Sequence, residues 1–453
     1  MKPNSTSALE ELLPAISEYP VKDLWDAVLI ICILAGLLAL IYLAIASPLL
    51  QPLVAAARQR QWGALVVRPT VMWVAMGCLL LILRTVLWLC YRPFAAATWR
   101  TAPTMTVIIP AYNEGKMVER SIDSVAAASY PVGRLEILAI DDGSTDDTWN
   151  CIQRAARRHP AIVTAVHLPE NQGKRGALAE GFRRARGDVL VTVDSDSVIE
   201  PQTLLAIAGP FADSRVGAVA GKVAVYNRLS GLLPKMLHVR FVLAFDFLRS
   251  AQSVFRTVYC CPGALAAYRG SVVRQVMARW ERQSFLGVPC TYGEDRALTN
   301  DILAAGYDTV YQRSAVVHTV VPQTYSKLCK MYLRWDRSYV REEIRFARVV
   351  WRRPLRFRTL ALFETTITNL RFPVAYVSIA LWISYAVSDP ATVPRMLFAL
   401  GVSSTFYMLY YLRSERSWNF LYGVLYSYFS FFALTWIFPY AALTLRARGW
   451  LTR

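Results

Sequence analysis

Histidine, cysteine and repeated sequence are scarce in this chain. Its 453 residues include four histidines and eight cysteines, and no two cysteines have the C-x-x-C spacing of a zinc or redox site. Cys260 and Cys261 are adjacent, and three other cysteines lie inside long apolar runs. The sequence has no internal repeat and no low-complexity segment. These absences argue against a disulfide framework, a structural zinc domain and a repeat architecture, and they favour reduced cytosolic thiols.

Acidic residues are outnumbered by basic ones. The chain has 32 Asp and Glu against 50 Lys and Arg, a formal net charge of +18. This excess would suit nucleic acid, but the sequence has no RNP-like aromatic motif and no zinc-finger spacing. Many arginines are instead concentrated just before an apolar run, at Arg341, Arg345, Arg348, Arg352, Arg353, Arg356 and Arg358. Cations in this place follow the positive-inside bias and contact anionic headgroups, so we predict a lipid bilayer, and no nucleic acid, as a partner.

Long apolar runs are what the sequence has in excess. Apolar residues make up 55% of the chain, and its mean hydropathy is +0.31. Five runs exceed the roughly 18 residues that favour a membrane span over a core helix; they are 25–50, 71–91, 359–387, 393–412 and 418–445. The first begins too deep in the chain, and lacks the charged start, for a cleavable signal peptide. Arg84 and Glu364 fall inside two of these runs and are predicted to face the interior of a helix bundle.

These runs divide the chain into four parts. We predict a polar tail at 1–23, two transmembrane helices with a linker at 24–102, a cytosolic domain at 103–345, and an interfacial helix with C-terminal transmembrane helices at 346–453. Two spans before the cytosolic domain would place Arg58, Arg60 and Arg68 outside, against the positive-inside rule. Run length is the stronger signal, so two N-terminal spans are preferred, whereas the parity of the C-terminal spans stays open.

The middle of the chain alternates between strand and helix patterns. Short apolar runs that predict strands lie at 106–109, 135–140, 162–168 and 188–193, with helical patterns between them. Further helices are predicted at 294–304 and from about Thr324 onward. Such alternation is typical of an α/β domain with a parallel, doubly wound sheet. The acidic motifs follow the carboxyl ends of predicted strands, where ligands bind in open α/β sheets.

The motif Asp194-Ser195-Asp196 is the strongest single candidate for a binding site. Acid pairs are common in surface loops, but an uninterrupted apolar strand at 189–193 delivers this pair from the core. Two carboxylates at i and i+2 supply the oxygen ligands that Mg²⁺ or Mn²⁺ takes when it is bound to a diphosphate. We therefore predict that Asp194 and Asp196 hold a metal ion.

Two earlier motifs favour a nucleotide. The Asp-Asp-Gly-Ser run at 141–144 has the composition of a turn, and it could also accept hydrogen bonds from a uracil and a ribose. Lys174 and Arg175 follow Gly173 at a helix start, where a cation opposes the helix dipole. A bound anion would relieve that cost, whereas a solvated helix face is the alternative. With the D-x-D motif one strand–helix unit further on, the nucleotide interpretation becomes the better one.

Two later motifs fit sugar transfer. The Gly-Glu-Asp run at 293–295 could supply ordinary N-terminal helix acids. Its Asp295 could also be the general base that an inverting transfer needs to take the proton of the attacking hydroxyl. Arg334 could bind phosphate bidentately. Trp335 could either belong to the apolar face of its helix or stack on a sugar ring.

Together the motifs resemble those of the processive family-2 glycosyltransferases, above all hyaluronan synthases and rhizobial chitin-oligosaccharide synthases. The matching stretches are VIIPAYNE at 107–114, DDGS at 141–144, ENQGKR at 170–175, VDSDS at 193–197, GEDR and LTN within 293–300, and RW at 334–335 with Ser338 and Arg341. The terminal W-L-T-R at 450–453 is similar to the ends of both groups. The likeness covers roughly residues 70–453.

The resemblance implies a GT-A fold, a UDP-sugar donor and Mg²⁺ or Mn²⁺ as cofactor. UDP-GlcNAc is the expected donor, with UDP-GlcA as a second candidate, and the growing polysaccharide would leave through a channel between the spans. The implied roles are Asp141 and Asp142 near the uridine, Lys174 and Arg175 on the nucleotide, Asp194 on the nucleotide-sugar and the metal, Asp196 on the metal, Asp295 as base, Arg334 on the diphosphate and Trp335 at the acceptor sugar.

One departure from the family pattern concerns Met331, which stands where the family's Q-x-x-R-W motif has glutamine. The Gly-Glu-Asp run is nearer the chitin type, whereas Leu-Thr-Asn at 298–300 is nearer the hyaluronan type, so the donor stays open. The sequence predicts an inverting glycosyltransferase of the inner cell membrane, with a cytosolic catalytic domain, that polymerises a β-linked polysaccharide. The alternatives are a single-sugar transferase to a polyisoprenyl phosphate and a non-catalytic partner in a secretion complex.

Overall fold

The computed structural model describes residues 35, 68–390 and 392–447. The described chain forms two compact units, one with Cys90–Arg358 and the residues from Ala433 onward, and one with residues 68–89 and 359–432. The predicted polar tail, the arginines at positions 58 and 60, most of the first apolar run and the terminal W-L-T-R lie outside the described residues.

The first unit is built on an eight-stranded sheet. Its strands are β1 Met105–Ala111, β2 Leu135–Asp141, β3 Val163–His167, β4 Val189–Val193, β5 Ser197–Ile199, β6 Val216–Val225, β7 Leu265–Arg269 and β10 Asp308–Thr319. A separate hairpin consists of β8 Ser284–Phe285 and β9 Val288–Pro289. The strand order is β3-β2-β1-β4-β7-β6-β10-β5. Strands β1 and β4 are buried at every position, as their continuous apolar runs predict for central strands covered on both faces.

The predicted parallel, doubly wound sheet is wrong in one respect, because the sheet is mixed. Strands β1, β2, β3 and β4 are parallel, whereas β7 runs antiparallel to β4 and to β6, and β5 runs antiparallel to β10. The connection from β6 to β7 therefore begins and ends at the same edge of the sheet. As a result, the amino end of β7 lies beside the carboxyl end of β4.

Fourteen α-helices occur in the described chain, and most of those in the first unit connect the strands. They are α1 Pro69–Cys90, α2 Lys116–Ala126, α3 Thr148–Arg158, α4 Gly173–Arg184, α5 Thr203–Ala208, α6 Leu232–Val242, α7 Leu248–Val254, α8 Gly270–Glu281, α9 Glu294–Ala304, α10 Tyr325–Val349, α11 Leu355–Ser388, α12 Thr392–Glu415, α13 Phe420–Phe429 and α14 Ile437–Leu443. The predicted helix at 294–304 and the helix start near Thr324 are confirmed. Thr324 caps α10, because its side chain accepts a hydrogen bond from the backbone N–H of Lys327.

Two of the described helices, α1 and α11, are long and apolar enough to cross a membrane. The pair α13 and α14, joined by a π-helical turn and bent by 46°, is a third candidate. The predicted span at 393–412 lies in α12, which is not among these candidates. In the second unit Arg84 and Glu364 pair with one another, and Trp382 donates a hydrogen bond of 3.0 Å to Thr70, so α1 and α11 run antiparallel. Such a pairing offsets the cost of a charge inside a long apolar helix.

Candidate active site

Two of the predicted acids, Asp141 and Asp194, lie at one edge of the sheet. Asp141 is the last residue of β2, and Asp194 directly follows β4. Because β2 and β4 are both parallel to β1, their carboxyl ends share this edge. The pairing of Val193 with Leu265 brings the turn before the antiparallel β7 to the same place.

Asp141 and Asp142 are buried at the end of β2. The Oδ2 atom of Asp141 lies 2.7 Å from Nδ1 of His167, the last residue of β3. The Oδ1 atom of Asp142 accepts a hydrogen bond of 2.8 Å from the backbone N–H of Gln172. Burial raises the pKa of Asp142 to about 6, although the backbone donors lower it. The two carboxylates therefore lie beside the loop that leads into α4.

This loop lies close to the D-D-G-S turn because Gly143 has no side chain. Gly143 has a φ of 68°, and a Cβ there would lie 2.7 Å from the carbonyl carbon of Glu170. The side chain of Asn171 donates a hydrogen bond of 3.2 Å to the carbonyl oxygen of Asp142. These contacts place the start of α4, and with it Lys174, beside the ends of β2 and β4.

Lys174 connects the acidic motifs. Its Nζ contacts Oδ1 of Asp194 and lies 3.4 Å from Oε1 of Glu294. Burial disfavours the ammonium, but these two carboxylates more than offset it, so the pKa of Lys174 is raised. A Cβ at position 263 would lie 2.8 Å from Nζ, so Gly263 leaves room for the ammonium. Lys174 is therefore a charged link between the turn after β4 and the start of α9.

Asp194 and Asp196 lie in the turn between β4 and β5, and both are partly exposed. Asp196 accepts hydrogen bonds of 3.2 Å from the hydroxyls of Ser197 and Thr319. Within the described residues, no three His, Cys, Asp or Glu side chains form a group that could hold a metal ion. Mg²⁺ usually takes only one or two protein carboxylates and completes its shell with water and substrate phosphates. Two carboxylates in one turn therefore fit an ion that is bound together with a diphosphate.

Asp295 is the second residue of α9, and its carboxylate faces the turn before β7. Its Oδ2 atom accepts a hydrogen bond of 3.3 Å from the backbone N–H of Gly263 and lies 3.5 Å from Sγ of Cys260. Burial raises the pKa of Asp295, and the neighbouring carboxylate of Glu294 raises it further. A raised pKa suits a carboxylate that takes up a proton during a reaction.

The side chain of Arg175 points instead to the segment after α8. It is 6% exposed, and its guanidinium donates hydrogen bonds of 2.5 Å to the carbonyl oxygen of Trp280 and 2.8 Å to Oε1 of Gln283. The guanidinium also lies 5.2 Å from the centroid of the Trp280 ring. The contact between Arg175 and a nucleotide, which the family resemblance implies, therefore has no support in this geometry.

Arg334 and Trp335 lie on α10. Burial raises the pKa of Glu294, but the charges of Lys174, Arg175 and Arg334 outweigh burial, so the pKa is lowered. The Trp335 ring is 36% exposed. Three aromatic rings surround it, with centroids 5.7 to 6.4 Å from its own: those of Phe241, Phe245 and Tyr332. The Trp335 side chain is thus held by neighbouring rings and remains accessible to solvent. Met331, one turn before, is buried.

Three residues of this site were not predicted from the sequence: His167, Gly263 and Thr319. His167 ends β3 and Thr319 ends β10, so the strand-end rule that pointed to Asp141 could have found both. Gly263 has no such local signal, because its partner Asp295 lies 32 residues away. The antiparallel direction of β7 brings Gly263 to this edge.

Known proteins share both the sequence pattern and the fold. The model of glycosyl transferase family 2 matches residues 106–277. The chain is 32% identical over 353 residues to an N-acetylglucosaminyltransferase of Azorhizobium caulinodans, which covers 78% of this chain and 87% of that protein. It is 36% identical over 245 residues to a hyaluronan synthase of Streptococcus pyogenes, which covers 53% of this chain and 58% of that protein.

Among solved structures, the chain is similar to the mannosyltransferase PcManGT from Pyrobaculum calidifontis, solved with GDP-Man and Mn²⁺. The TM-score is 0.60 at 22% identity, over 81% of this chain and 99% of that one. This likeness shows the fold, a GT-A glycosyltransferase domain with a mixed sheet. The family model and the long match to the Azorhizobium protein show that this chain belongs to glycosyltransferase family 2.

Proposed function

We propose that this protein is a membrane-embedded, metal-dependent, inverting glycosyltransferase that extends a β-linked polysaccharide from a UDP-sugar. One observation carries the proposal. Lys174 contacts Asp194 and lies 3.4 Å from Glu294, so the D-x-D turn lies next to the helix start that carries Asp295. A donor held at the D-x-D turn would thus lie beside a carboxylate able to act as a base.

The part of the site at the sheet edge has the carboxylates and the lysine that a metal-bound nucleoside diphosphate needs. Asp141 and Asp142 would accept hydrogen bonds from the uridine. Asp194 and Asp196 would hold Mg²⁺ or Mn²⁺, which neutralises charge on the diphosphate leaving group when bound. Lys174 and Arg334 would add positive charge on the same group. The positions of Asp141, Asp142 and Asp194 at the sheet edge, and the contact of Lys174 with Asp194, support these roles.

The acceptor end needs a base and a surface for a sugar ring. Asp295 would take the proton of the attacking hydroxyl, which would displace the UDP with inversion at the anomeric carbon. Its partial exposure and its raised pKa support this role. Trp335 would stack on the acceptor sugar, because it is accessible and held by three other rings.

The names of the relatives guide the choice of donor. Several of the most similar proteins are called N-acetylglucosaminyltransferases, which favours UDP-GlcNAc. Hyaluronan synthases among the relatives make UDP-GlcA a second candidate. Two candidate spans, together with a cluster of arginines just before α11, support a protein of the inner membrane with its catalytic unit in the cytosol, where UDP-sugars are made.

Purified protein in lipid nanodiscs tests the proposal. UDP release would be measured with a panel of UDP-sugars, with and without Mn²⁺, and the product would be sized on a gel. We expect release with UDP-GlcNAc only when the metal is present, and a product of many sugars. No UDP release with any donor would contradict the proposal. A short product that partitions into organic solvent would instead indicate transfer of a single sugar to a lipid.

A further inference from the structure

Glu342 is a buried carboxylate in α10 whose role the proposed mechanism leaves unassigned. It is 1% exposed. Its oxygens accept four side-chain hydrogen bonds, from Gln283 at 2.5 Å, Asn300 at 3.1 Å, Arg341 at 3.1 Å and Arg345 at 2.7 Å. A buried charge is costly unless such donors satisfy it. Since the donors come from the segment after α8, from α9 and from α10, Glu342 fixes these three parts against one another.

The segment at 282–293 is the part that depends most on these contacts. It connects α8 to α9, and apart from the short hairpin β8–β9 it has no secondary structure. Arg175 in α4 anchors its start, through the carbonyl oxygen of Trp280 and the side chain of Gln283. The indole N–H of Trp280 donates a hydrogen bond of 2.8 Å to the carbonyl oxygen of Glu294, just past the end of the segment. Side-chain hydrogen bonds therefore determine where the segment lies.

The end of this segment packs directly on α10. Arg341 donates a hydrogen bond of 2.5 Å to the carbonyl oxygen of Tyr292. Gly293 has a φ of 76°, and a Cβ there would lie 2.0 Å from Oγ of Ser338. Only glycine fits so close to the helix in this backbone conformation. Asp295 is two residues further on, so the position of its carboxylate depends on this contact.

We propose that five side chains form a positioning network that holds the segment at 282–293 and thereby places Asp295. They are Glu342, Gln283, Asn300, Arg341 and Arg175. The proposal rests on the proposed function, in which Asp295 is the general base. Arg175 then acts through the segment and not by contact with the donor. A displacement of about 1 Å in an active site can cost about 10²-fold in rate. Loosening the network should therefore lower kcat while the affinity for UDP is kept.

Three variants of α4 in the full chain, reconstituted in nanodiscs, test this role. Arg175→Met should keep the Kd for UDP within about 2-fold and lower kcat by about 10- to 100-fold. Lys174→Met should weaken UDP binding by at least about 10-fold, because it removes a charge from the donor site. Arg184→Met is the matched control, since it breaks only an exposed ion pair with Glu180, and it should change neither quantity. If Arg175→Met weakens UDP binding as much as Lys174→Met, Arg175 is a nucleotide ligand and the proposal is wrong.

Double variants separate positioning from a general loss of stability. Arg175→Met combined with Gln283→Leu should lower kcat by less than the product of the two single losses, because the two variants share the Arg175–Gln283 contact. Fully multiplicative losses would overturn the network. If Arg175→Met does not fold, Gln283→Leu alone gives a second test, and it should lower kcat by about 10- to 100-fold while the Kd for UDP stays within about 2-fold. An unchanged kcat in a folded Gln283→Leu protein would overturn the network, whereas a wild-type protein that releases no UDP would refute the proposed function instead.

Discussion

Replacing Arg84 by leucine is expected to destabilise the helix pair α1 and α11. Arg84 donates hydrogen bonds to Oε1 of Glu364, at 2.9 Å from Nε, and to the hydroxyl of Thr368 at 2.8 Å. Glu364 is 2% exposed, so the variant leaves a buried carboxylate without its cation. Breaking a buried ion pair in this way costs about 3–5 kcal/mol. At roughly 2 °C per kcal/mol, Tm should fall by at least about 6 °C.

The matched variants make this reasoning testable. Adding Glu364→Leu should restore most of the lost stability, because an apolar pair often replaces a buried ion pair without cost. Thr368→Val removes one hydroxyl and should cost only about 1 kcal/mol. Unfolding would be followed by tryptophan fluorescence in nanodiscs of fixed composition. An Arg84→Leu protein as stable as wild type, or a double variant no more stable than the single one, would refute the reasoning.

If α1 lines the polymer path, Arg84→Leu should also shorten the product while UDP release stays near the wild-type rate.

Four further predictions concern the catalytic unit. Asp295→Asn should lower kcat by at least about 10²-fold and keep UDP binding; turnover above about a tenth of wild type would contradict its role as base. Asp196→Asn should weaken Mn²⁺-dependent UDP binding in a titration, and an unchanged Kd would remove it from the metal site. Asp142→Asn should raise Tm at pH 7.5 and weaken UDP binding. Because the pKa of Asp142 is raised to about 6 in the folded protein, its ionised carboxylate lowers the free energy of unfolding by up to about 3 kcal/mol at pH values above 6. The gain in Tm should shrink as the pH falls toward 4, and an equal gain at both pH values would contradict this cause. Met331→Gln should be tolerated and could widen donor use, because a thioether is only a weak acceptor; a folded but inactive variant would show that the pocket is built differently.

Much of the fold followed from local patterns. The apolar runs that became β1, β2 and β4 are buried at nearly every position, and such runs predict central strands wherever they occur. The helix at 294–304 was predicted with its acidic start, and the helix from about Thr324 was predicted from its periodicity. These signals involve only neighbours in the chain, so a single sequence contains them.

The direction of β7 could not be found in this way. A strand has the same side-chain alternation whichever way it runs, so only the path of the chain decides its direction. Because β7 runs antiparallel, the turn with Gly263 lies beside Asp194 and Asp295. The sequence therefore predicted the acids of the site but not the backbone N–H that binds one of them.

Lys174 and Arg175 show most clearly what the sequence determined and what the tertiary structure decided. The sequence by itself placed two cations at a helix start, next to a glycine and one strand–helix unit before the D-x-D motif. No local signal distinguishes the two residues. Successive side chains on a helix point about 100° apart, so they cannot share one environment. Ion contacts with the turn after β4 and with the start of α9 hold Lys174 beside the acids, whereas Arg175 binds Trp280 at the end of α8 and Gln283 just after it.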